Sequence, residues 1–299
     1  MTRITSASAA TEERTLERAE PVGVRERRGD WSDLGPRIAS GLALAVGGVA
    51  AAWFGGAWIA GACGFAVVIM SYEWARMSEP DAVTPAFMFT FAGALGAVMF
   101  ASWGWLTCGA AWMAGCAVLS ATRRRSLAGI IETAGGTLYI GLPCAVFVWL
   151  RHQSDGLAIV LVLFAVIWAA DIFAYFGGKL IGGPKIATGL SPNKTWSGII
   201  SGVVAGSAAG LGCGVVFAAP AAVDGLWLLV GAVIAFTGLM GDLFESFLKR
   251  RFGVKDASKI IPGHGGVLDR IDGLMAATLL TGAVVSAWPG VVSFLMARP

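Results

Sequence analysis

Long stretches of this sequence contain no charged residue, and this feature most limits what the chain can fold into. A helix that spans a bilayer needs about 20 mostly apolar residues. With 14% charged residues and a mean hydropathy of +0.72, the chain carries more apolar surface than a soluble protein can bury. The charge-free runs are 38–72, 82–122, 133–150, 156–170, 195–223, 225–241 and 273–297. They predict an all-α, polytopic integral membrane protein.

The first two runs are each long enough for two helices, and each has a polar or glycine-rich break in its middle. The run at 156–170 extends past Asp171 through Phe176. This division predicts nine transmembrane helices. We expect them near residues 38–54, 56–73, 84–103, 105–121, 132–150, 157–178, 195–218, 222–241 and 273–296.

Residues 1–37 differ from the rest, because they hold seven Arg and seven acidic residues with few bulky apolar ones. This composition predicts a polar, disordered tail. We expect two further regions, the N-terminal transmembrane helices at 38–150 and a catalytic transmembrane region at 151–299.

The positive charges predict the orientation. In the nine-helix arrangement, all but Arg151 and Arg298 of the 22 Lys and Arg residues fall on one side. Lys and Arg collect on the cytoplasmic side of a membrane. We therefore expect the N-terminus and the polar site to face the cytoplasm, most simply from a bacterial cytoplasmic (inner) membrane.

The segment 242–272 holds eleven charged residues directly after the eighth predicted span. Asp242, Glu245, Ser246, Lys249 and Arg250 are spaced to share one helical face. A solvated juxtamembrane helix with ordinary ion pairs is the plain alternative, but it needs no acids at its membrane end.

A glycine-rich loop and two carboxylates complete this segment. Gly263, His264, Gly265 and Gly266 allow backbone N–H groups to approach a ligand closely, as in phosphate-binding loops. His264 is either a phosphate partner or a structural donor. Asp269 and Asp272 are one helical turn apart, and Asp269 and Asp242 are placed to share a divalent ion such as Mg²⁺.

A second polar segment begins inside the sixth predicted span. Asp171, Tyr175, Gly178 and Lys179 share one helical face, and a carboxylate within a span marks a candidate functional site. A helix-packing Asp paired with a Lys is the alternative.

Ser191 and Pro192 then predict the start of the next helix, with Ser191 as N-cap. Lys194 lies beside this helix start, an arrangement that binds anions. The alternative is a cap without a ligand. Together the two polar segments offer acids for a divalent ion, a basic cluster, a glycine-rich loop and an anion site. These are the parts needed for phosphoryl or nucleotidyl transfer, with a lipid as one substrate.

The sequence also resembles a known family, the phosphatidate cytidylyltransferases (CDP-diacylglycerol synthases). The resemblance covers about residues 34–297 and is most specific in the last third. It is carried by Gly241-Asp242-Leu243-Phe244-Glu245-Ser246, Leu248-Lys249-Arg250, Lys255-Asp256, Ser258, Ile261-Pro262, His264-Gly265-Gly266-Val267, Asp269-Arg270-Ile271-Asp272, Ala174-Tyr175-Phe176-Gly177-Gly178-Lys179 and Ser191-Pro192-Asn193-Lys194-Thr195-Trp196.

The resemblance implies transfer of a cytidylyl group from CTP to phosphatidate, giving CDP-diacylglycerol and diphosphate for phospholipid biosynthesis. It implies Mg²⁺ on Asp242 and Asp269. It also implies a homodimer and no nucleic-acid partner. The phosphates would be neutralised by Lys249, Arg250, Lys255 and Arg270 and bound by Ser191, Lys194 and Thr195. The loop 263–266 would close over the nucleotide. These groups would be oriented, or a second cation bound, by Asp171, Glu245, Asp256 and Asp272.

Two positions depart from the family pattern. Ser197 stands where the family usually has Glu, and Ala257-Ser258 replaces a usual Ser-Gly.

Two other classes of membrane protein are alternatives. A CDP-alcohol phosphotransferase needs an Asp-Gly-x2-Ala-Arg start and two later Asp at fixed spacing, whereas Asp272-Gly273 is followed by Leu274-Met275-Ala276-Ala277 and no later Asp. A transporter would explain the spans and Asp171, but not a charged, glycine-rich motif outside the hydrocarbon core.

Overall fold

The computed structural model describes residues 34–123, 126–258, 260 and 265–297, with side chains from residue 41 onward. Within these residues the chain forms nine helices of 15 residues or more, as predicted. In chain order they are α1 (Leu34–Phe54), α2 (Gly56–Ser78), α3 (Val83–Ser102), α4 (Leu106–Ser120), α5 (Leu127–Arg151), α6 (Gly156–Leu180), α7 (Trp196–Phe217), α8 (Gly225–Arg251) and α9 (Leu268–Ala287), followed by the short α10 (Val291–Met296).

Seven of these helices are long and apolar enough to cross a membrane: α2, α3 and α5 to α9. The described apolar part of α1 (Gly41–Phe54) and α4 are shorter. An all-α, polytopic membrane protein is therefore confirmed. The described strands are limited to a hairpin between α6 and α7, in which β1 (Lys185–Ala187) pairs antiparallel with β2 (Ser191–Thr195).

The helices pack as neighbours in sequence, with two crossings that join the halves of the molecule. Helices α2 to α5 pack on one another, as do α6 to α9. Helix α5 also contacts both α6 and α9. Residues 36–299 accordingly form one compact unit, and the predicted division at residue 150 stays a prediction.

A stripe of glycines on α7 brings three helices together beneath the polar segments. Gly198, Gly202, Gly206 and Gly210 recur every fourth residue, and all are buried. A Cβ atom at Gly202 would lie 2.9 Å from the Ala170 carbonyl oxygen of α6, and one at Gly210 only 2.5 Å from the Trp227 oxygen of α8. Small residues allow such close helix packing in membranes. The stripe therefore fixes the spacing between α6 and α8.

Several predicted boundaries are wrong. Residues 34–37, predicted as tail, belong to α1, while residues 1–33 lie outside the described part of the chain. The ninth predicted helix (273–296) begins earlier, at Leu268, and stops at Ala287 before Pro289, which cannot continue the hydrogen-bond ladder. The expected helix start at Ser191 is strand β2 instead.

Arg151, the one described basic residue on the side expected to face outward, has a packing role. Its guanidinium donates to the carbonyl oxygens of Ala52 (2.5 Å) and Trp53 (3.3 Å) at the end of α1. A cation at the C-terminus of a helix satisfies carbonyls that have no partner within the helix.

Candidate active site

The polar segments of the sequence converge on one cavity of about 1160 Å³. Its wall is built by the end of α6, the β1–β2 hairpin, the start of α7, the second half of α8, described residues of the α8–α9 connection (252–258, 260 and 265–267) and the start of α9. Its polar and charged lining side chains are Asp171, Tyr175, Lys179, Lys185, Ser191, Asn193, Lys194, Thr195, Asp242, Glu245, Lys249, Asp256, Ser258, Asp269, Arg270 and Asp272.

The polar face predicted for 242–250 is present, because α8 continues without a break to Arg251. Asp242, Glu245 and Lys249 all line the cavity. The first turns of α9 lie opposite and contribute Asp269 and Asp272, one turn apart as predicted. Two helices that are adjacent in space thus present their charged residues to each other.

Three carboxylates on these helices lie close together. One oxygen from each of Asp242, Glu245 and Asp272 lies within 4.8 Å of the others. Glu245 and Asp272 are 1% and 9% exposed. Glu245 Oε1 is buried and accepts no hydrogen bond from the described residues. Carboxylate oxygens are the ligands that Mg²⁺ prefers, so these three residues fit a divalent cation.

Asp269 lies outside that group of three and has a different set of partners. Its Oδ1 accepts from Lys249 at 2.6 Å, and its Oδ2 accepts from the backbone N–H groups of Gly266 (2.8 Å) and Ala257 (3.2 Å). Lys249 also donates to Glu245 Oε2 at 2.8 Å. Asp269 therefore connects the α8–α9 connection to Lys249, and its predicted role as a metal ligand stays a prediction.

The hairpin supplies a lysine ammonium to the carboxylate cluster. Lys194 Nζ lies 2.6 Å from Asp242 Oδ2. The N-cap of α7 is Thr195, whose Oγ1 accepts from the Gly198 N–H at 3.1 Å, so the assignment of Ser191 as N-cap is wrong. The reason is strand pairing, which aligns Thr195 with Lys185 and Ser191 with Ala187. Ser191, Lys194 and Thr195 nonetheless all line the cavity.

Several predicted site residues lie away from the cavity lining. Arg250 is exposed and donates to the carbonyl oxygens of Leu190 (3.2 Å) and Val254 (3.1 Å). Lys255 is exposed, Ser246 is half-buried and Gly266 is buried. Gly263 and His264 lie outside the described residues.

The structure also adds site residues that the sequence argument left out. Lys185, Asn193 and Ser258 line the cavity. Lys179 was placed on the correct face but given no role. Glu73, at the end of α2, bonds to the α8–α9 connection. No sequence pattern marks Glu73 as a site residue, because charged residues are expected where a span ends.

Ser197, the departure from the family pattern, has a structural partner. Its hydroxyl donates a short hydrogen bond to the Gly182 carbonyl oxygen and lies 2.9 Å from Thr195 Oγ1. Ser197 therefore ties the chain after α6 to the start of α7.

Comparison with known proteins agrees with this geometry. The sequence profile of the cytidylyltransferase family matches residues 36–288. The chain belongs to the cytidylyltransferase family. The matched region contains every residue that lines the cavity, and it confirms the resemblance found in the motifs. Family membership argues against both a CDP-alcohol phosphotransferase and a transporter.

Curated members of the family are similar over most of the chain. A phosphatidate cytidylyltransferase of Brucella abortus biovar 1 (strain 9-941) is 38% identical over 257 residues, which is 83% of this chain and 92% of the relative. One of Rickettsia conorii (strain ATCC VR-613 / Malish 7) is 34% identical over 180 residues, which is 56% of this chain and 75% of the relative.

Proposed function

We propose that this cytidylyltransferase family member transfers the cytidylyl group of CTP to phosphatidate, giving CDP-diacylglycerol and diphosphate. The observation that carries the proposal is the cavity at the ends of apolar helices, which is lined by six carboxylates, four lysines and Arg270 and in which three of the carboxylates converge. The cavity therefore offers charge for phosphates within a membrane protein. The names of the curated relatives supply the substrates.

Asp242, Glu245 and Asp272 would hold Mg²⁺, because their oxygens converge and Glu245 Oε1 is otherwise without a hydrogen bond among the described residues. A bound Mg²⁺ neutralises phosphate charge that develops during transfer. Asp269 would orient Lys249 and the α8–α9 connection. Asp171, which lines the same cavity 71 positions before Asp242 in the sequence, is the further carboxylate that a second cation would use.

The chain's own residues bind and orient the reacting groups. A phosphate oxygen of phosphatidate forms a bond to the α-phosphorus of CTP, the bond from that phosphorus to the β-phosphate oxygen breaks, and diphosphate leaves. Lys194, Lys249 and Arg270 offset the negative charge along this line. Lys249 is held between Glu245 and Asp269, so its ammonium is already oriented before the substrates bind, which lowers the cost of reorganisation.

The positive-charge distribution supports an orientation for the site. We infer that the cavity faces the cytoplasm of a bacterial inner membrane. In the predicted nine-helix arrangement, all described Lys and Arg residues except Arg151 lie at helix ends or in connections on the side of the cavity. A homodimer is a further expectation from the family resemblance.

The first test is to incubate membranes containing this chain with labelled CTP and phosphatidate, with and without Mg²⁺. We expect a labelled lipid only with Mg²⁺. Asp242→Asn and Asp269→Asn should each strongly reduce the product, because one removes a ligand and the other removes one of the two carboxylates that hold Lys249. Asp81→Asn, an exposed acid on the α2–α3 loop, is the matched control and should keep full activity.

A Mg²⁺ titration separates the two roles. Residual activity of a ligand variant should need roughly tenfold or more Mg²⁺ for half-saturation, whereas Asp269→Asn should lower kcat at unchanged Mg²⁺ demand. Near-normal kcat in purified Asp242→Asn would refute the metal assignment.

A further inference from the structure

Glu73 is a buried carboxylate in the half of the molecule that the catalytic motifs do not include. It lies near the end of α2 and is 0% exposed. A carboxylate without partners is costly in such a place. In this position the carboxylate needs hydrogen-bond donors that offset this cost.

All three of its described partners come from the far end of the sequence. Oε1 accepts from Ser258 Oγ at 2.5 Å and from the Val267 N–H at 2.9 Å, and Oε2 accepts from the Leu268 N–H at 2.9 Å. The hydroxyl and both amides belong to the α8–α9 connection and the first residue of α9. One side chain of α2 thus contacts the α8–α9 connection at Ser258 and at the point where it enters α9.

Glu73 also replaces a cap that α9 does not have. The N-cap position of α9 is Val267, which makes no side-chain cap hydrogen bond. The first N–H groups of a helix need acceptors, and a negative charge there is stabilising. The Glu73 carboxylate meets both needs from a neighbouring helix, so it fixes where α9 begins.

The same segment positions the reacting groups. The Gly266 N–H donates to Asp269 Oδ2 at 2.8 Å, and Asp269 in turn holds Lys249. Ser258 and Gly265 line the cavity. A Cβ atom at Gly266 would lie 2.8 Å from Glu73 Oε1, so the backbone at this residue can approach the carboxylate only because it is glycine. A shift at Glu73 would therefore be transmitted to Asp269 and Lys249.

We propose that Glu73 is a positioning residue for cytidylyl transfer, which fixes the α8–α9 connection so that Asp269 and Lys249 face the substrates. The proposal rests on the proposed function. It makes Ser258, one of the two departures from the family pattern, a partner of this anchor in the present chain.

The test compares Glu73→Gln and Ser258→Ala with Thr133→Val in purified protein. Thr133 is also a buried polar residue, donating to the Gly129 carbonyl oxygen at 2.8 Å in α5, and it serves as the matched control. The Gln side chain keeps the size of Glu73 but places an N–H donor against the N–H groups of Val267 and Leu268. We measure kcat, KM for CTP, and amide hydrogen exchange at residues 266–268.

Glu73→Gln should lower kcat roughly 10- to 100-fold, change KM for CTP less, and speed exchange at residues 266–268. Ser258→Ala removes one of three bonds and should act in the same direction, more weakly. Thr133→Val should change neither readout. Wild-type kcat and exchange in Glu73→Gln would overturn the proposal, and so would an equal loss in Thr133→Val.

Two further outcomes are distinguished by separate measurements. If Glu73→Gln does not accumulate in membranes, the exchange and kcat of Ser258→Ala decide, and wild-type values for both would refute the anchor. If the wild-type chain makes no labelled lipid, the proposed function fails, whereas unchanged exchange at residues 266–268 is what removes the anchor itself.

Discussion

Lys194 is the residue through which the hairpin reaches the carboxylate cluster. Its side chain is 22% exposed and its Nζ lies 2.6 Å from Asp242. A lysine ammonium is a mobile point charge on a flexible stem, so it can pair with Asp242 or with a phosphate in the same cavity. The ion pair places a positive charge where an anionic substrate would arrive.

We therefore expect Lys194→Ala to raise KM for CTP or for phosphatidate by about tenfold or more, the usual effect of losing a charged hydrogen bond. The measurement is steady-state kinetics in detergent with each substrate varied in turn. Arg123→Ala removes an exposed cation from the α4–α5 loop and should leave both constants unchanged. Unaltered kinetics in Lys194→Ala would leave the hairpin as a purely structural element.

Single residues show where prediction from sequence succeeds. The helical spacing of Asp242, Glu245 and Lys249 was sufficient, because periodicity determines which side chains share a face. Glu73 and the partners of Asp269 could not be found this way. The contacts of Glu73 join residues far apart in the sequence, and the Lys249–Asp269 pair joins two helices. No local pattern records which two helices pack together.

At the scale of elements, α7 determines how close its neighbours come. The glycine stripe packs against carbonyl oxygens of α6 and α8, the two helices that carry Asp171 and Asp242. Lipid gives no hydrophobic drive for helix association, so close packing of this kind supplies much of the stability. A methyl group on the stripe should separate the helices.

Gly210→Ala tests this directly. The added Cβ would lie 2.5 Å from the Trp227 oxygen, and overpacking of this kind costs about 1–3 kcal/mol. We expect a lower thermal unfolding midpoint in detergent. Gly212→Ala, two residues on in the same helix with no atom within 4 Å, is the control and should keep or slightly raise the midpoint, because Ala favours helix over Gly. Equal midpoints in the two variants would contradict the packing role of the stripe.

Element types were easier to predict than element ends. The charge-free runs predicted the nine helices, and seven of these are long and apolar enough to span a membrane. The residues Ser191 to Thr195 were misread, since a Ser-Pro pair is also compatible with a strand. Its pairing with 185–187 is a tertiary choice that cap signals do not contain.

At the scale of the whole molecule, the predicted topology places almost all Lys and Arg residues on one side of the membrane. The predicted nine spans with the N-terminus inside would place the C-terminus outside, because α10 has only six residues, too few to cross back. An alkaline phosphatase fused after residue 299 should therefore be active, since that enzyme folds only outside the cytoplasm. The same fusion after Gly253, at the end of α8, should be inactive. Activity of the second fusion alone would invert the proposed orientation of the site.

The bonds of Glu73 span 185 to 195 positions of sequence, and this has a consequence for synthesis. Translation adds about 5–20 residues per second. Helix α2 is therefore made roughly 10–40 s before Ser258 and the start of α9 exist. During that interval none of the three described hydrogen-bond partners of Glu73 has been made. The first half of the chain therefore carries a carboxylate whose hydrogen bonds can form only after the last helices are made. The packing of α2 against the α8–α9 connection is for this reason a late step of assembly.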